Sequence, residues 1–379
     1  MDLKEINNFS KLPITILSSF GHNGLDWIHS LLDDHPEAII MPAYSFYRTL
    51  DFYSLETGKD LSKFNDNEII SKEFSHFIIN DPSYNVVRRR FLKDKNEANI
   101  FCNYLNEFLS NSSEEVKIKK LFLGINYAFC KSKEINLQEK KIIISQEHVS
   151  WHTLNYKKKF NSKFVLMMRD PRAGLAGAWK RQSENQGRHK MNPFDFDKTI
   201  LAGTYLESFH RNLSVTDKRK TKVMINEEMH IDLKKEMMTL CNWLGINFYD
   251  SCLEESFLGK EWLGESSYLG VDELKERPPL DFYEPKNVES RWRGRLSQKE
   301  INMIETIFAY SFEKFGYVRD FKPSLKNKIK GFVDYFFSSL SNVDDAASFI
   351  LFLKIIRNFF RRICVKFFPT LVPFIFKIP

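Results

Sequence analysis

The stretch ITILSSFGHNGLDWIHSLLDDHP, residues 14–36, decides the fold of this chain. It opens with the β-branched and apolar run Ile14 to Leu17, which predicts a buried strand. Gly21 and Gly24 then interrupt the run, and the apolar residues that follow recur at the spacing of a helix. A strand, a glycine turn and a helix in this order point backbone N–H groups at an anion. The stretch is therefore a candidate phosphate-binding loop.

The same residues also fit a tight connection between a strand and a helix that binds nothing. In that interpretation Asn23 is the helix N-cap, and Asp26, three residues later, completes a capping box. A Walker A loop is excluded, because the sequence contains no G-x-x-x-x-G-K-[ST] pattern. The local sequence leaves both interpretations open.

Length and composition predict one large α/β domain with appendages. The chain has 379 residues, of which 43% are hydrophobic and 28% charged, as is ordinary for a folded globular protein. Its five cysteines are scattered and form no C-x-x-C pair, so we expect buried free thiols in a reducing compartment and no metal site. Met1 to Leu12 have no apolar core, so we expect no secretory signal there.

The net charge of +7 belongs to the C-terminal part of the chain. From Lys322 to Pro379 the sequence holds ten Lys and Arg and three Asp, whereas the two signs balance before that point. We therefore divide the chain into an α/β domain, residues 1–320, and a basic, Phe-rich tail, residues 321–379. We expect no nucleic acid among its partners.

Further apolar runs predict strands that alternate with helices, which favours a parallel sheet. Ligands bind such sheets beyond the carboxyl ends of the strands, where Gly21 to Asn23, Gln146 to His148 and Arg169 to Arg172 are expected. A helical insertion is predicted over about 45–115. The remaining predictions are strands within Glu37–Pro42, Lys117–Phe129, Ile142–Ser145, Phe164–Met168 and Lys222–Ile225, and a helix over Leu233–Leu244 that ends at Gly245.

Six segments, in order, resemble the sulfotransferase family and span roughly residues 12 to 318. They are SFGHNGLDW (19–27), similar to the family's phosphosulfate loop, SLLDDHPE (30–37), MRDPRAGLA (168–176), similar to its R-[DN]-P-R turn, NWLG (242–245), FLGKEW (257–262) with Ser266 and Ser267, and RWRGRL (291–296) with FGY (315–317). The resemblance implies a P-loop-like α/β fold, a central parallel sheet flanked by helices, with a helical insertion and a C-terminal helical tail.

The resemblance also implies the donor, 3′-phosphoadenosine 5′-phosphosulfate, and no metal. Arg169 matches the residue that binds the 3′-phosphate, and Trp27 the ring that stacks on adenine. The implied donor contacts are Gly21, His22, Asn23, Gly24, Leu25, Asp26, Trp27, Arg169, Gly177, Arg291 and Arg293.

The chain departs from the family pattern at the donor loop. His22 stands where the family has Lys or Arg, Asp26 replaces a hydroxyl residue, and Gly177 replaces a serine. A carboxylate near a polyanion is unfavourable unless it turns away. These departures favour an alternative, a catalytically inactive member that binds a nucleotide or a glycan partner at the membrane.

His148 is the candidate general base, because a histidine accepts protons near neutral pH and this one matches the family's K-T-H histidine. Glu147 is the alternative base, and a protonated His22 would replace the missing cation. For His148 the competing interpretation is a strand-end histidine bonded to the backbone. For Arg169 it is a salt bridge to Asp170 or another carboxylate. We expect Arg172 at the surface.

In the tail, residues 348–379 combine Phe, Ile and Leu with Lys354, Arg357 and Arg361 on one helical stripe. The charges are too frequent for a spanning helix. The pattern fits either a helix at an anionic membrane surface or a helix that packs on the protein or forms a dimer. Residues 321–330 are expected to be a linker. The sequence thus predicts a cytoplasmic sulfotransferase, peripheral at the inner membrane surface, that acts on a carbohydrate or glycan hydroxyl.

Overall fold

The structure is a computed structural model. It describes residues 3–19, 23–41, 45–64, 66–80, 92, 95–149, 152–177, 200, 203–204, 206–207, 209–211, 218–261, 284–290, 292–337, 360 and 363.

A five-stranded parallel sheet forms the centre of the molecule, as the sequence predicts. Its strands are β1 (Ile14–Ser18), β2 (Ala38–Ile40), β3 (Ile142–Glu147), β4 (Lys163–Met168) and β5 (Thr221–Ile225). They lie in the order β2–β3–β1–β4–β5. Every residue of β1, β2 and β3 is buried, as expected of parallel strands covered on both faces. After β1 the chain forms β2 and β3 on one side of this strand and later β4 and β5 on the other side. This reversal of strand order creates a crevice at the carboxyl end of β1.

Helices cover the sheet and account for most of the remaining described chain. They are α1 (Leu3–Phe9), α2 (Leu25–Leu31), α3 (Phe46–Thr57), α4 (Asn67–Asn80), α5 (Lys95–Asn111), α6 (Lys117–Ser132), α7 (Thr153–Phe160), α8 (171–177), α9 (Asn226–Ile231), α10 (Leu233–Leu244), α11 (Pro285–Ser290), α12 (Gln298–Ile307), α13 (Ala309–Phe315) and α14 (Leu325–Phe337). A small antiparallel pair joins β6 (Ser256–Phe257) to β7 (Lys260–Glu261). The helix predicted over Leu233–Leu244 is confirmed, and Gly245 ends it with a φ of 82°.

The strand predicted within Lys117–Phe129 is wrong, because this segment belongs to helix α6. Its residues Leu121 to Cys130 are all buried, and such a continuous apolar run does not distinguish a strand from a buried helix. The 16-residue length favours a helix, and α6 packs against α5. The helical layer between β2 and β3 therefore extends to Ser132.

The two faces of the sheet have separate cores. Alternate side chains of each strand enter opposite layers, since Ile16 and Leu166 join one cluster while Leu17 and Val165 join the other. The first layer is aromatic and contains the helices between β2 and β3. The second is formed by α2 and α10. Packing on both faces fixes the positions of the carboxyl ends of the strands relative to one another.

The C-terminal helices form a third cluster around the buried Trp292 and Tyr335. The linker predicted over residues 321–330 is wrong from Leu325 onward, because α14 begins there and packs against α12. Apart from 360 and 363, residues 338–379 lie outside the described residues, so the tail helix at 348–379 and the division at residue 320 stay predictions. None of the described helices has the length and apolar character needed to cross a membrane.

Candidate functional site

The carboxyl ends of the strands meet at one edge of the sheet. Ser18 of β1 is level with Glu147 of β3 and with Leu166 of β4. Met168, the last residue of β4, is level with Ile225 at the end of β5. The candidate residues that follow these four strands therefore start from the same edge.

We call the loop that follows β1, residues 19–24, the leading loop. Its residues Asn23 and Gly24 lie against the ends of β4 and β5. Asn23 is fully buried, and its Nδ2 atom donates to the carbonyl oxygen of Met167 at 3.4 Å. Gly24 has a φ of 83°, which side chains disfavour. A Cβ atom there would lie 2.4 Å from Nδ2 of Asn226, the first residue of α9. The loop backbone thus approaches two neighbouring segments so closely that glycine is required.

The capping-box interpretation of this loop is wrong. The N-cap of α2 is Gly24, and no side chain caps the helix. Asn23 reaches β4 instead, and Asp26 turns toward the segment after β3. Leu25 is 3% exposed and packs in the core, so its backbone alone is available to a ligand.

His148 faces Asp26 across the edge of the sheet. Its Nε2 atom lies 3.4 Å from Oδ1 of Asp26, and the two side chains are 25% and 30% exposed. The backbone N–H of His148 donates to the Ser45 hydroxyl at 3.3 Å, which places the residue relative to α3. A carboxylate beside Nε2 favours the tautomer with its proton there, so Nδ1 remains as the acceptor. His148 is thus partly exposed and oriented, as a base requires.

Glu147, the alternative base, is completely buried at the end of β3. Its Oε1 atom accepts from the N–H of Val149 at 3.1 Å, and its Oε2 atom lies 3.5 Å from the Tyr156 hydroxyl. Burial raises the pKa of this carboxyl, although nearby histidines oppose that rise. Because the Glu147 side chain is enclosed by the protein, it is placed to support His148 from below and is less suited to contact a substrate.

A second histidine–aspartate pair was missed by sequence reasoning. His152 is 4% exposed, and its Nε2 atom lies 3.0 Å from Oδ2 of Asp51 in α3. Burial by itself would lower the pKa of His152, but the hydrogen bond that its ring donates to Asp51 and the charge of Glu147 outweigh burial and raise the pKa. No local signal connects positions 51 and 152, which lie on different elements.

Arg169 is half-buried beside two carboxylates, Asp170 and Glu227, and the partial loss of water around its guanidinium lowers its pKa. Glu227 accepts from the backbone N–H of Asp170 at 3.0 Å, and its other oxygen lies 3.5 Å from the Tyr317 hydroxyl. Burial raises the pKa of Glu227 to about 7, although the Asp170 N–H and the Arg169 guanidinium favour its charged form. Asn226 and Glu227 were missed although they directly follow a predicted strand, the signal used for the other loops.

Trp27 stacks on His230 of α9, with ring centroids 4.3 Å apart and planes inclined by 15°. One face of the indole is therefore covered by the protein itself. Its predicted role against adenine is untested and would require the other face or its edge.

Arg172 lies in the interior, so its predicted surface position is wrong. It is 3% exposed, its Nη2 atom donates to Asp170 at 2.7 Å, and its Nη1 atom donates to Glu305 at 2.7 Å. The guanidinium also stacks over Trp292 at 4.1 Å. Asp170 thus forms its ion pair with Arg172. The salt bridge between Arg169 and Asp170 that the sequence left open is therefore not the main interaction of this carboxylate.

Of the remaining predicted donor contacts, Gly177 and Arg293 lie in the described part of the chain. Arg293 is 60% exposed, and both its terminal nitrogens contact Asp320, at 3.1 and 3.3 Å. Gly177 is the last described residue of α8 and is half-buried. Gly21, His22 and Arg291 lie outside the described residues.

Three buried side chains of metal-ligand type meet beside α10. One ligand atom each of His35, Cys241 and Cys252 lies within 4.8 Å of the others. Both nitrogens of His35 already form hydrogen bonds, because Nδ1 accepts from the Glu37 N–H at 3.1 Å and Nε2 donates to the Asn247 carbonyl at 3.0 Å. A metal here would displace the second bond. The spacing of the cysteines in sequence gave no sign of this meeting.

Comparisons with known proteins agree with the family resemblance. The sulfotransferase domain model matches residues 15–263, about two thirds of the chain. No curated protein matches this chain.

Three solved structures are similar to it. The sulfotransferase domain from the olefin synthase of Synechococcus PCC 7002 is 13% identical and matches over 81% of this chain and 95% of its own, with a TM-score of 0.48. The sulfotransferase domain from the curacin biosynthetic pathway is 12% identical over 81% and 99%, with a TM-score of 0.44. Sulfotransferase STF9 from Mycobacterium avium is 14% identical over 83% and 79%, with a TM-score of 0.41.

The family model spans the leading loop, the segment that carries His148, the Arg169 turn and α10, and with this match the chain belongs to the sulfotransferase family.

Proposed function

We propose that this protein transfers a sulfuryl group from 3′-phosphoadenosine 5′-phosphosulfate to a hydroxyl of a carbohydrate or glycan. One observation carries the proposal. The contacts of Asn23 with β4 and of Asp26 with His148 join the leading loop to the ends of β4 and β3, the two strands that flank β1. The loop backbone at Asn23 and Gly24, an oriented histidine and the half-buried Arg169 therefore lie at the edge where α/β sheets bind ligands.

The chemistry needs alignment and charge stabilisation more than covalent help from the protein. The acceptor oxygen attacks sulfur, the bond from sulfur to the phosphate oxygen breaks, and the electron pair leaves with the nucleotide. His148 accepts the hydroxyl proton at Nδ1 while Asp26 holds the proton on Nε2. Arg169 and the N–H groups of the leading loop would hold the phosphate groups of the donor.

The acceptor class and the location are inferred from other features. A carbohydrate or glycan hydroxyl is proposed by analogy at the level of the fold. A cytoplasmic location at the inner membrane surface is proposed from the basic, Phe-rich sequence of residues 348–379, through which the protein would contact anionic lipid.

A second candidate function is binding of a nucleotide or glycan partner at the membrane without turnover. The carboxylate of Asp26 and the two carboxylates beside Arg169 favour it, because negative charge at these positions opposes a polyanionic donor. The same carboxylates would weaken but not abolish donor binding in an active enzyme.

Two measurements separate these functions. Calorimetric titration with 3′-phosphoadenosine 5′-phosphate tests the donor site, and transfer of labelled sulfate to a panel of glycans tests turnover. We expect both binding and transfer. Binding without transfer would favour the inactive member, and no binding at millimolar ligand would overturn the donor assignment.

A further inference from the structure

Helix α14 uses one face to pack against α12, and this contact fixes how the helix is rotated. A Cβ atom on Gly331 would lie 2.1 Å from Oγ1 of Thr306, so the two helices touch at a glycine. One turn earlier, Asn302 donates to the carbonyl oxygen of Asn327 at 3.1 Å. One turn later, Tyr335 is 1% exposed. The residues at 327, 331 and 335 therefore define the buried face.

The opposite face of α14 presents a stripe of apolar side chains to the exterior. Leu325 is 75% exposed, Ile329 is 56% exposed and Val333 is 49% exposed. These residues lie four apart, on one side of the helix, and two positions from the buried face. At about 100° per residue, two positions correspond to about 200°, so the stripe points away from α12. We call these three residues the α14 stripe.

Exposed lysines border the α14 stripe on both sides. Lys326 and Lys330 lie along one edge of it and Lys328 along the other. Within the described part of the chain, no ion pair engages these three lysines, whereas Asp334, the one acid of the helix, pairs with Lys299 at 3.5 Å. The outer half of α14 is thus an apolar strip with two lysines along one side and one along the other.

We propose that the α14 stripe is a docking surface for an anionic membrane. A helix of this kind lies in the interface, where its apolar side chains enter the headgroup region and its lysines contact anionic lipid. The long lysine side chains can follow the apolar surface and still place their charges at the headgroups. The charge pattern favours this occupant over a second copy of the chain, because two copies would bring like charges together.

The sequence beyond α14 supports the same occupant. Residues 338–379 contain six Lys and Arg, two Asp and eight Phe, so the sequence that follows α14 is likewise basic and rich in Phe. Stable membrane anchoring generally needs two signals. The α14 stripe would supply one on the folded domain and the tail the other. Leu325 and Ile329 lie in the segment that the sequence predicted to be a linker, so the proposed membrane contact would begin before residue 348.

The test uses the full chain and cosedimentation with vesicles of phosphatidylcholine, with and without phosphatidylserine. One variant replaces the stripe (Leu325→Ser, Ile329→Ser, Val333→Ser), and its control replaces three apolar residues of similar exposure on other helices (Leu55→Ser, Ile231→Ser, Met238→Ser). A second variant removes the charges (Lys326→Gln, Lys328→Gln, Lys330→Gln), and its control makes the same change at Lys157, Lys158 and Lys159, which are exposed on α7.

We expect the unaltered chain to bind phosphatidylserine vesicles. Each α14 variant should lower the partition coefficient by about tenfold or more, while the controls leave it within about twofold. Equal binding by the stripe variant and its control would overturn the proposal and assign the membrane contact to the tail. Loss of a dimer in the stripe variant, with lipid binding unchanged, would assign the stripe to a second copy. Failure of the unaltered chain to bind would also overturn it.

Discussion

The Nε2 atom of His148 lies 3.4 Å from the Oδ1 atom of Asp26, so the helix after β1 and the segment after β3 meet through a histidine and a carboxylate. Asp26 is the residue at which the donor loop departs from the family pattern toward negative charge. Its position beside His148 suggests that the carboxylate serves the base, and the first two predictions separate that role from donor binding.

Replacing His148 with alanine is expected to reduce sulfuryl transfer by about 100-fold or more, because general-base catalysis typically contributes that much. Nucleotide binding should stay within about twofold, since the side chain receives a proton and holds no phosphate. Steady-state kinetics and calorimetry measure the two quantities. His76→Ala, at an exposed histidine of α4, is the control. Unchanged turnover in His148→Ala would remove the residue from its proposed role.

Asp26→Asn should change binding and turnover in opposite directions. Loss of a negative charge at the donor loop should tighten nucleotide binding by about fivefold, or ~1 kcal/mol. Turnover should fall by about tenfold, because an amide no longer fixes the proton of His148 on Nε2. Calorimetry and kinetics on one preparation test both effects. If turnover rises together with binding, Asp26 merely opposes the donor and does not position the histidine.

Glu227 is expected to make the free energy of unfolding depend on pH between about 4.5 and 7. The folded protein keeps the proton up to a pKa of about 7, whereas the unfolded chain releases it near 4.5. The folded state binds more protons in this window, so stability decreases as pH rises through it, by about 3 kcal/mol in total, and is flat above.

Urea unfolding at a series of pH values tests this dependence. Glu227→Gln should remove that part of the slope, because the amide stays neutral and can still accept from the Asp170 N–H. The neighbouring Glu228 is exposed, so Glu228→Gln should leave the slope as it is. Equal slopes in the two variants would contradict the buried, shifted carboxyl.

Gly24→Ala should destabilise the fold more than the same change at Gly245. Both glycines have a positive φ, 83° and 82°, so each substitution carries a backbone cost of about 1–2 kcal/mol. At Gly24 the new methyl group also meets the Asn226 side chain at 2.4 Å, while the space at Gly245 is open. Thermal unfolding measures the difference, and Asn226→Ala in the Gly24→Ala background should recover part of it. Equal losses at both glycines would show that Asn226 is not packed against the loop.

Arg172 and Arg293 contact the same two residues, Asp320 and Trp292, in different surroundings. Arg172→Met should cost about 3–5 kcal/mol, because it leaves the carboxylates of Asp170 and Glu305 buried without their partner. Arg293→Met should cost about 0–1 kcal/mol, since its pair is exposed. Denaturant unfolding compares the two, and similar losses would contradict the burial of the first arginine.

The sequence by itself determined the central sheet. The sequence located β1, β3, β4 and β5 because a short apolar run next to turn residues indicates a buried strand. The apolar character of each residue can be read directly from the sequence. The run in α6 was misread for the same reason, since a segment that is buried all round has no polar face to reveal its period.

The tertiary structure alone decided which polar groups meet. Asp26 and His148, Asp51 and His152, and His35 and Cys241 are separated by about a hundred residues or more, and no local pattern links them. A buried charge or ring nitrogen is stable only where the fold supplies its partner, because removal from water is costly unless it is compensated. The sequence could therefore place each residue at the end of its strand, but the partner that sets its chemistry came from the way the strands are ordered in the sheet.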